Sequence, residues 1–295
     1  MVDGTGPIRI ILTKERILMK YTNKTRVIPG FGLNMGIVIT MLSVIVLIPL
    51  VSVLVYSLKL SPAEFIETIT RESVRNAFVT SIGCSLVAAI INSIFGVIMA
   101  WTLVRYEFPG KRLIDGFIEL PFALPTAVAG ITLSKLYAED GLLGKPISIL
   151  GIKVSYTKLG IIVALVFVGI PFVVRSVQPV LEKMDGSYEE AACMLGASQR
   201  QTFFKVVLPE LRPAVLTGFG LAFARGIGEY GSVIYISGNS KKEKTQVLSY
   251  VIMQKLGYID YAGATAIALV MLIISFLLLL AINIIQVKQQ SRVNV

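Results

Sequence analysis

The stretch VITMLSVIVLIPLVSVLV, residues 38–55, decides the architecture of this chain. It holds no charged side chain, and about 20 apolar residues in a helix cross a bilayer core about 30 Å thick. Lipid offers no water to backbone N–H and C=O groups, so a run of this kind satisfies them internally, as a helix. Working outward, six such spans are expected: near Leu33–Leu58, Asn76–Val104, Leu113–Leu136, Leu159–Val180, Ala214–Ser237 and Ala262–Val287. Glu119, Pro121 and Pro125 interrupt the third, and Arg225 and Glu229 sit inside the fifth. The fold class that follows is an all-α membrane protein with six transmembrane helices.

Composition agrees. The 295 residues are 55% hydrophobic and only 16% charged, with a mean hydropathy of +0.76, well beyond what a soluble domain needs for its core. The net charge of +10 belongs to cytoplasmic loops rather than to a nucleic-acid surface, because no basic run alternates with aromatics on a soluble fold. There is no His, and the two cysteines, Cys84 and Cys193, lie far apart. A Cys/His zinc site, a disulfide framework and a Ser-His-Asp or Cys-His nucleophile are thereby excluded. No cofactor or metal is expected. The first apolar run is too long and too late for a cleaved signal peptide.

Six spans put both ends on one side. The tails and the loops after spans two and four hold 16 Lys and Arg, the three opposite loops 11. Both termini are therefore expected in the cytoplasm, although Lys241, Lys242 and Lys244 fall on the outer side. The expected organisation is a cytoplasmic tail over 1–32, a transmembrane domain over 33–287 and a short cytoplasmic tail over 288–295. The first 18 residues are expected to be dispensable, Met19 serving equally as a start, and roughly residues 1–30 to be poorly ordered or peripheral.

The cytoplasmic segment at about 181–212 is far longer than a connection between neighbouring spans requires. Ser187 with Glu190 spells a capping box opening one helix, and Gly196 suits the left-handed position that ends it. Ser198 with Gln201 spells a second box, opening a helix through Phe203, Phe204 and Val207 that Pro209 is expected to stop, with Pro213 near the first turn of span five. The adjacent small residues Ala191 and Ala192 permit close approach of another surface. The element reads either as an amphipathic surface helix packed on its own bundle or as a docking element for a soluble partner.

Glu190-Ala191-Ala192, three residues, Gly196, nine residues, Val206, one residue and Leu208-Pro209 resemble the EAA signature of ABC importer permeases, with Val206 where the family usually has Ile. The resemblance implies that Glu190, Ala191, Ala192, Gly196, Phe203, Leu208 and Pro209 form a coupling element that inserts into a cleft of a separate ATP-binding subunit. It also implies a type I importer permease of the molybdate/sulfate kind. The stretches RYEFPGKRLIDGFIELPFALPTAVAGI (105–131), GIPFVVRSVQPVLEKMDGSYEEA (169–191), FARGIGEYGSVIYISGN (223–239) and DYAGATAIALVMLIISFLLLL (260–280) are similar to T-type permease subunits of sulfate/thiosulfate importers. Molybdate and tungstate permeases are similar through the EAA loop into span five. By resemblance the partners are two ATP-binding cassette subunits, a second related permease and an extracytoplasmic sulfate-binding protein, all at the cell membrane.

Arg225 and Glu229 are four apart, so a helix places them on one face as an internal ion pair. Ala214, Gly218, Ala222 and Gly226 make one small-residue row beside them, and Gly220, Ala224, Gly228 and Ser232 another, suited to close packing in lipid. The pair reads either as a clamp that fixes packing or as a positive contribution from Arg225 to an anion pathway. Glu119, Pro125 and Thr126 in ELPFALPTAVAG (119–130) read either as part of a simple kinked helix or as a bend lining the pathway. Two other classes fit less well: a secondary anion transporter leaves the loop at 181–212 unexplained, and an intramembrane enzyme finds neither a His nor a phosphate-cradling glycine loop here.

Overall fold

The structure is a computed structural model describing residues 31–293, with side chains to 287. The tail over 1–30, expected to be poorly ordered, lies outside the described residues, as does most of the detail of the C-terminal tail. The chain divides into two units, Met1–Ser52 and Val53–Val295. In the first, the helix α1, Phe31–Ser57, begins and runs on into the second, with a π-helical turn at Ser43–Leu47. Pro49 lies just beyond that turn.

The second unit is built from helices α2 (Pro62–Thr70), α3 (Glu72–Arg105), α4 (Lys111–Ala123), α5 (Thr126–Leu136), α6 (Gly144–Ile149) and α7 (Lys158–Lys183). The short α8 (Ser187–Met194) follows. Then come α9 (Gln199–Ile227), α10 (Gly231–Ile236), α11 (Leu248–Gly257) and α12 (Tyr261–Val293). Among the described residues five helices are long and apolar enough to cross a membrane, and the bent pair α4–α5 makes a sixth if it counts as one span. The all-helical class and its spans therefore stand.

Three long helices, α3, α7 and α9, form the core, with Val97, Leu103, Val173, Val174, Val177, Leu211 and Phe223 buried between them. Lipid tails are as apolar as these side chains, so dispersion and close fit rather than water exclusion hold the helices together. The small residues make that fit possible. A Cβ on Gly218 would stand 2.7 Å from the Val173 Cα, and one on Gly96 2.7 Å from a Val173 methyl. Gly226 rests on Ser85, and Gly169 on the Asn92 amide. The first small row expected on span five thus faces α7 and α3.

Spans three and five are both broken, the third in its proline stretch and the fifth where a continuous helix was expected. Span three bends by 113° between α4 and α5, too sharply for a kinked helix. Pro121 lies buried inside α4 without breaking it. The break falls at Leu124, extended at ψ 135°, because a residue before proline is driven out of the helical region. Span five ends at Ile227, and Gly228–Tyr230 separate it from α10. The helical rows therefore do not continue through Gly228 and Ser232 as expected.

The two breaks abut. Gly231 at the start of α10 sits against the Thr126 hydroxyl at the start of α5, and a Cβ on Gly130 would stand 2.3 Å from the Ser232 carbonyl oxygen. Backbone cannot yield as a side chain tip can. Gly130→Ala should therefore destabilise the protein by about 1–3 kcal/mol, whereas Gly83→Ala, with nothing within 4 Å, should be close to neutral. Melting temperatures of the two variants in one detergent check this.

Candidate coupling loop and charged interior

The segment between α7 and the membrane part of α9 holds two short arms joined at Gly196. Gly196 has φ +81°, a conformation open to glycine without a Cβ clash, and Leu195 and Gly196 close the first arm through bonds to Ala191 and Cys193 carbonyls. The second expected capping box forms: Ser198 accepts from the Gln201 N–H, and Gln201 accepts from the Ser198 N–H at 2.8 Å. The first does not. Ser187 is already the first helical residue, and its N–H donates to the Asp185 carboxylate at 3.0 Å, which takes the role expected of the Ser187 hydroxyl.

That bond holds the Asp185 carboxyl below its ordinary value of 3.8. A depressed value means stabilisation present above the unfolded pKa and lost as pH falls through the folded one. Amide protection over 187–194, taken relative to the unstructured rate at each pH, should accordingly fall only below about pH 3.8, and Asp185→Asn should remove that fall.

Pro209 does not stop the second arm. Phe203–Val207 form a π-helical turn in which the Leu208 N–H reaches back to the Phe203 carbonyl. The widened turn moves the Lys205 carbonyl out of the path of the Pro209 ring, which would strike it in a regular helix. The arm and span five are consequently one helix from Gln199 to Ile227, with Pro213 inside it.

Exposure divides the loop sharply. Glu190 and Ala191 are exposed and Ala192 partly so. Met194 is 90% exposed and Leu195 89%, two large apolar side chains at the tip, and Cys193 beside them is an exposed thiol. Phe203 turns inward onto Trp101, Leu208 and Pro209 are half-buried, and Val207 and Leu211 are buried in the core. Periodicity placed the loop; which of its apolar residues face outward was not legible.

The charged interior lies at the far end of α9. Glu229 is 2% exposed. One carboxylate oxygen accepts from the Ser232 N–H at 2.8 Å and from its hydroxyl at 2.9 Å. The other pairs with Arg225, whose side chain remains 37% exposed. The Ser249 hydroxyl donates to the Glu229 carbonyl at 2.7 Å. The expected ion pair therefore exists, but Glu229 stands past the end of the helix and bridges its break, joining α9, α10 and α11.

Glu119 does not join this cluster. It pairs with Arg175 at 2.8 Å, and Arg175 also meets Asp115 at 2.7 Å. Arg175, counted from the sequence among loop cations, is thus an internal residue of α7 held by two carboxylates of α4. The i, i+4 spacing of Asp115 and Glu119 puts both on one face of α4, but nothing in the sequence names Arg175 as their partner. Thr126 and Pro125 do lie at the Glu229 end, through the contact of Thr126 with Gly231. Among the described residues no group of His, Cys, Asp and Glu could hold a metal.

A multi-span helical bundle with interrupted inner helices and a glycine-hinged loop at one end is the build of a transport permease. A family model described as "Binding-protein-dependent transport system inner membrane component" matches residues 92–295, and the chain belongs to that family, as a membrane component. A relative from Escherichia coli strain K12, named sulfate transport system permease protein CysT, is 48% identical over 268 residues, 91% of this chain and 96% of the relative. A protein of the same name from Synechococcus elongatus is 44% identical over 253 residues, 86% of this chain and 90% of that one. Among solved structures, a bacterial ABC transporter described as importing alginate matches with a TM-score of 0.71 at 13% identity, covering 95% of this chain and 99% of that chain; at that identity the likeness concerns the fold.

Proposed function

We propose that the chain is one permease subunit of an ATP-driven importer of sulfate or thiosulfate, forming half of the pathway and coupling it to separate ATPase subunits. The single observation that carries the coupling role is the tip of the loop. Met194 and Leu195 stand almost fully exposed beside the left-handed Gly196. Apolar side chains displayed on a polar hinge are what a docking surface presents. The relatives named as sulfate permeases, matched over nearly their whole length, support the substrate.

In this assembly two ATP-binding cassette subunits receive Glu190, Ala191, Ala192 and the tip of the loop of each permease. A second related permease completes the pathway, and an extracytoplasmic binding protein delivers the dianion. Both termini and the loop face the cytoplasm. ATP is bound and hydrolysed on the partner chains. Arg225, partly exposed beside the two helix breaks, contributes positive potential to the pathway, while Glu229 holds the breaks together. Non-helical backbone at membrane depth is tolerated where it is buried in protein or lines a water-filled cavity, which is the setting expected of Pro125, Thr126 and Gly228 along a pathway.

The test is uptake of labelled sulfate, and growth on sulfate as sole sulfur source, with the chain deleted and restored. Loss of both on deletion supports the assignment. Intact sulfate uptake with lost molybdate or tungstate uptake would move the substrate to those larger oxyanions. Uptake that persists without any ATPase partner would point to a secondary transporter.

A further inference from the structure

The two neighbouring carboxylates of the coupling loop have different fates. Glu190 points outward. Glu189 turns back onto its own bundle, where it meets Arg105, the last residue of α3, at 2.8 Å, each side chain only 22% exposed. A second Arg105 nitrogen contact runs to the Met184 carbonyl at 3.4 Å, at the point where α7 gives way to the loop. The guanidinium also lies 5.9 Å from the ring centre of Trp101, one turn earlier on α3. Trp101 meets Phe203 edge to face, with ring centres 5.2 Å apart, and Phe203 opens the π-helical turn of the other arm.

Two residues one turn apart on α3 thus grip both arms of the loop, α8 through Glu189 and the head of α9 through Phe203. Their neighbours Ala100 and Leu103 are buried in the α3–α7–α9 core, so α3 cannot move at this end without moving the core. Elsewhere α8 is not pressed onto the bundle. A cleft of about 620 Å³ opens between Tyr188 of α8, Val180 and Lys183 of α7, and Val206 and Glu210 of α9.

We propose that Arg105, seated on Trp101, is the positioning residue that carries displacement of the coupling loop into the second span. This rests on the loop being the seat of the ATPase. When the partner subunits move α8, the cleft gives way on one side. The Arg105–Glu189 contact transmits the displacement to α3 on the other, while Trp101 and Phe203 keep the second arm in step. A charge-assisted contact suits this role because it holds direction as well as distance. It differs from the docking surface itself, since Arg105 and Glu189 are mostly buried against each other and the bundle.

The experiment uses the assembled transporter, permeases with ATPase subunits and binding protein, in lipid vesicles, with sulfate uptake and ATP hydrolysis measured on one preparation. Arg105→Gln and Glu189→Gln should each lower the sulfate moved per ATP hydrolysed on the order of tenfold, the scale of ordinary coupling between sites, with ATPase still bound. Arg105→Lys, which keeps the charge, should lose less. The double exchange Arg105→Glu with Glu189→Arg should recover most of the ratio. Unchanged ratios in the single variants would overturn the proposal, as would a double exchange that hydrolyses without transporting. Loss of ATPase binding on Glu189→Gln would overturn it too, by placing Glu189 in the docking surface. If the single variants fail to assemble, the double exchange decides: transport supports the proposal, and failure to assemble reduces the contact to a structural one. Cross-linking from Cys193 to the ATPase in these variants separates the outcomes, because its loss in the unmodified protein contradicts the docking itself.

Discussion

Glu229→Ala is expected to be the most damaging single replacement in the chain, costing about 3–5 kcal/mol. The carboxylate is 2% exposed and does three things at once. It neutralises Arg225, satisfies the Ser232 N–H and hydroxyl and so spans the break between α9 and α10. Alanine leaves Arg225 without its partner and the two buried Ser232 donors without acceptors. The fraction of monodisperse protein recovered in detergent, and its melting temperature, should both fall steeply.

Arg225→Met should behave differently. Glu229 would keep the Ser232 donors, so assembly should survive while sulfate uptake falls. Arg225 is the partly exposed member of the pair and the one free to present charge to an anion. If Arg225→Met destroyed assembly and Glu229→Ala did not, the roles assigned to the two residues would be reversed.

The second large effect is expected at the loop tip. Met194→Ser with Leu195→Ser should leave the permease itself as stable as before, because both side chains stand about nine-tenths exposed. Binding of the ATPase should weaken at least about 30-fold, since even one apolar anchor at the centre of an interface is worth roughly 2 kcal/mol. Copurification of the ATPase subunit and titration of its binding to permease in nanodiscs measure the effect. A double variant that binds as tightly as the native chain would remove the tip from the interface. One that unfolds would show that Met194 and Leu195 pack on their own bundle.

Hydrophobic runs made four spans plain in the sequence, the first, second, fourth and sixth, because lipid admits no other solution for an uncharged backbone of that length. The second capping box and the Gly196 hinge were legible for a similar reason: their chemistry is local. What failed depended on competition. Pro209 was expected to end a helix, and the π-helical turn before it absorbed the clash. Asp185 displaced Ser187 as the acceptor at the start of α8, since a carboxylate accepts more strongly than a hydroxyl. Pro121 and Pro125 look alike in sequence, yet only Pro125 breaks the helix, at Leu124.

The pairs that cross between helices were not legible. Arg175 with Asp115 and Glu119, and Arg105 with Glu189, are set by how α4, α7, α3 and α8 pack rather than by spacing along the chain. The same holds for Asn92, buried against Gly169 with both amide atoms unpartnered among the described residues. In the sequence it is one polar residue in an apolar span.

Cys193 offers the most direct measurement. It is an exposed thiol one residue from Met194 at the loop tip, whereas Cys84 is buried. A short thiol-reactive cross-linker added to the transporting complex should join Cys193 to the nucleotide-binding subunit, with a yield that changes between the ATP-bound and nucleotide-free complex. A complex that transports sulfate normally, yet yields no such product while Cys193 remains open to small maleimides, would contradict the central claim that this loop is where the motor grips the permease.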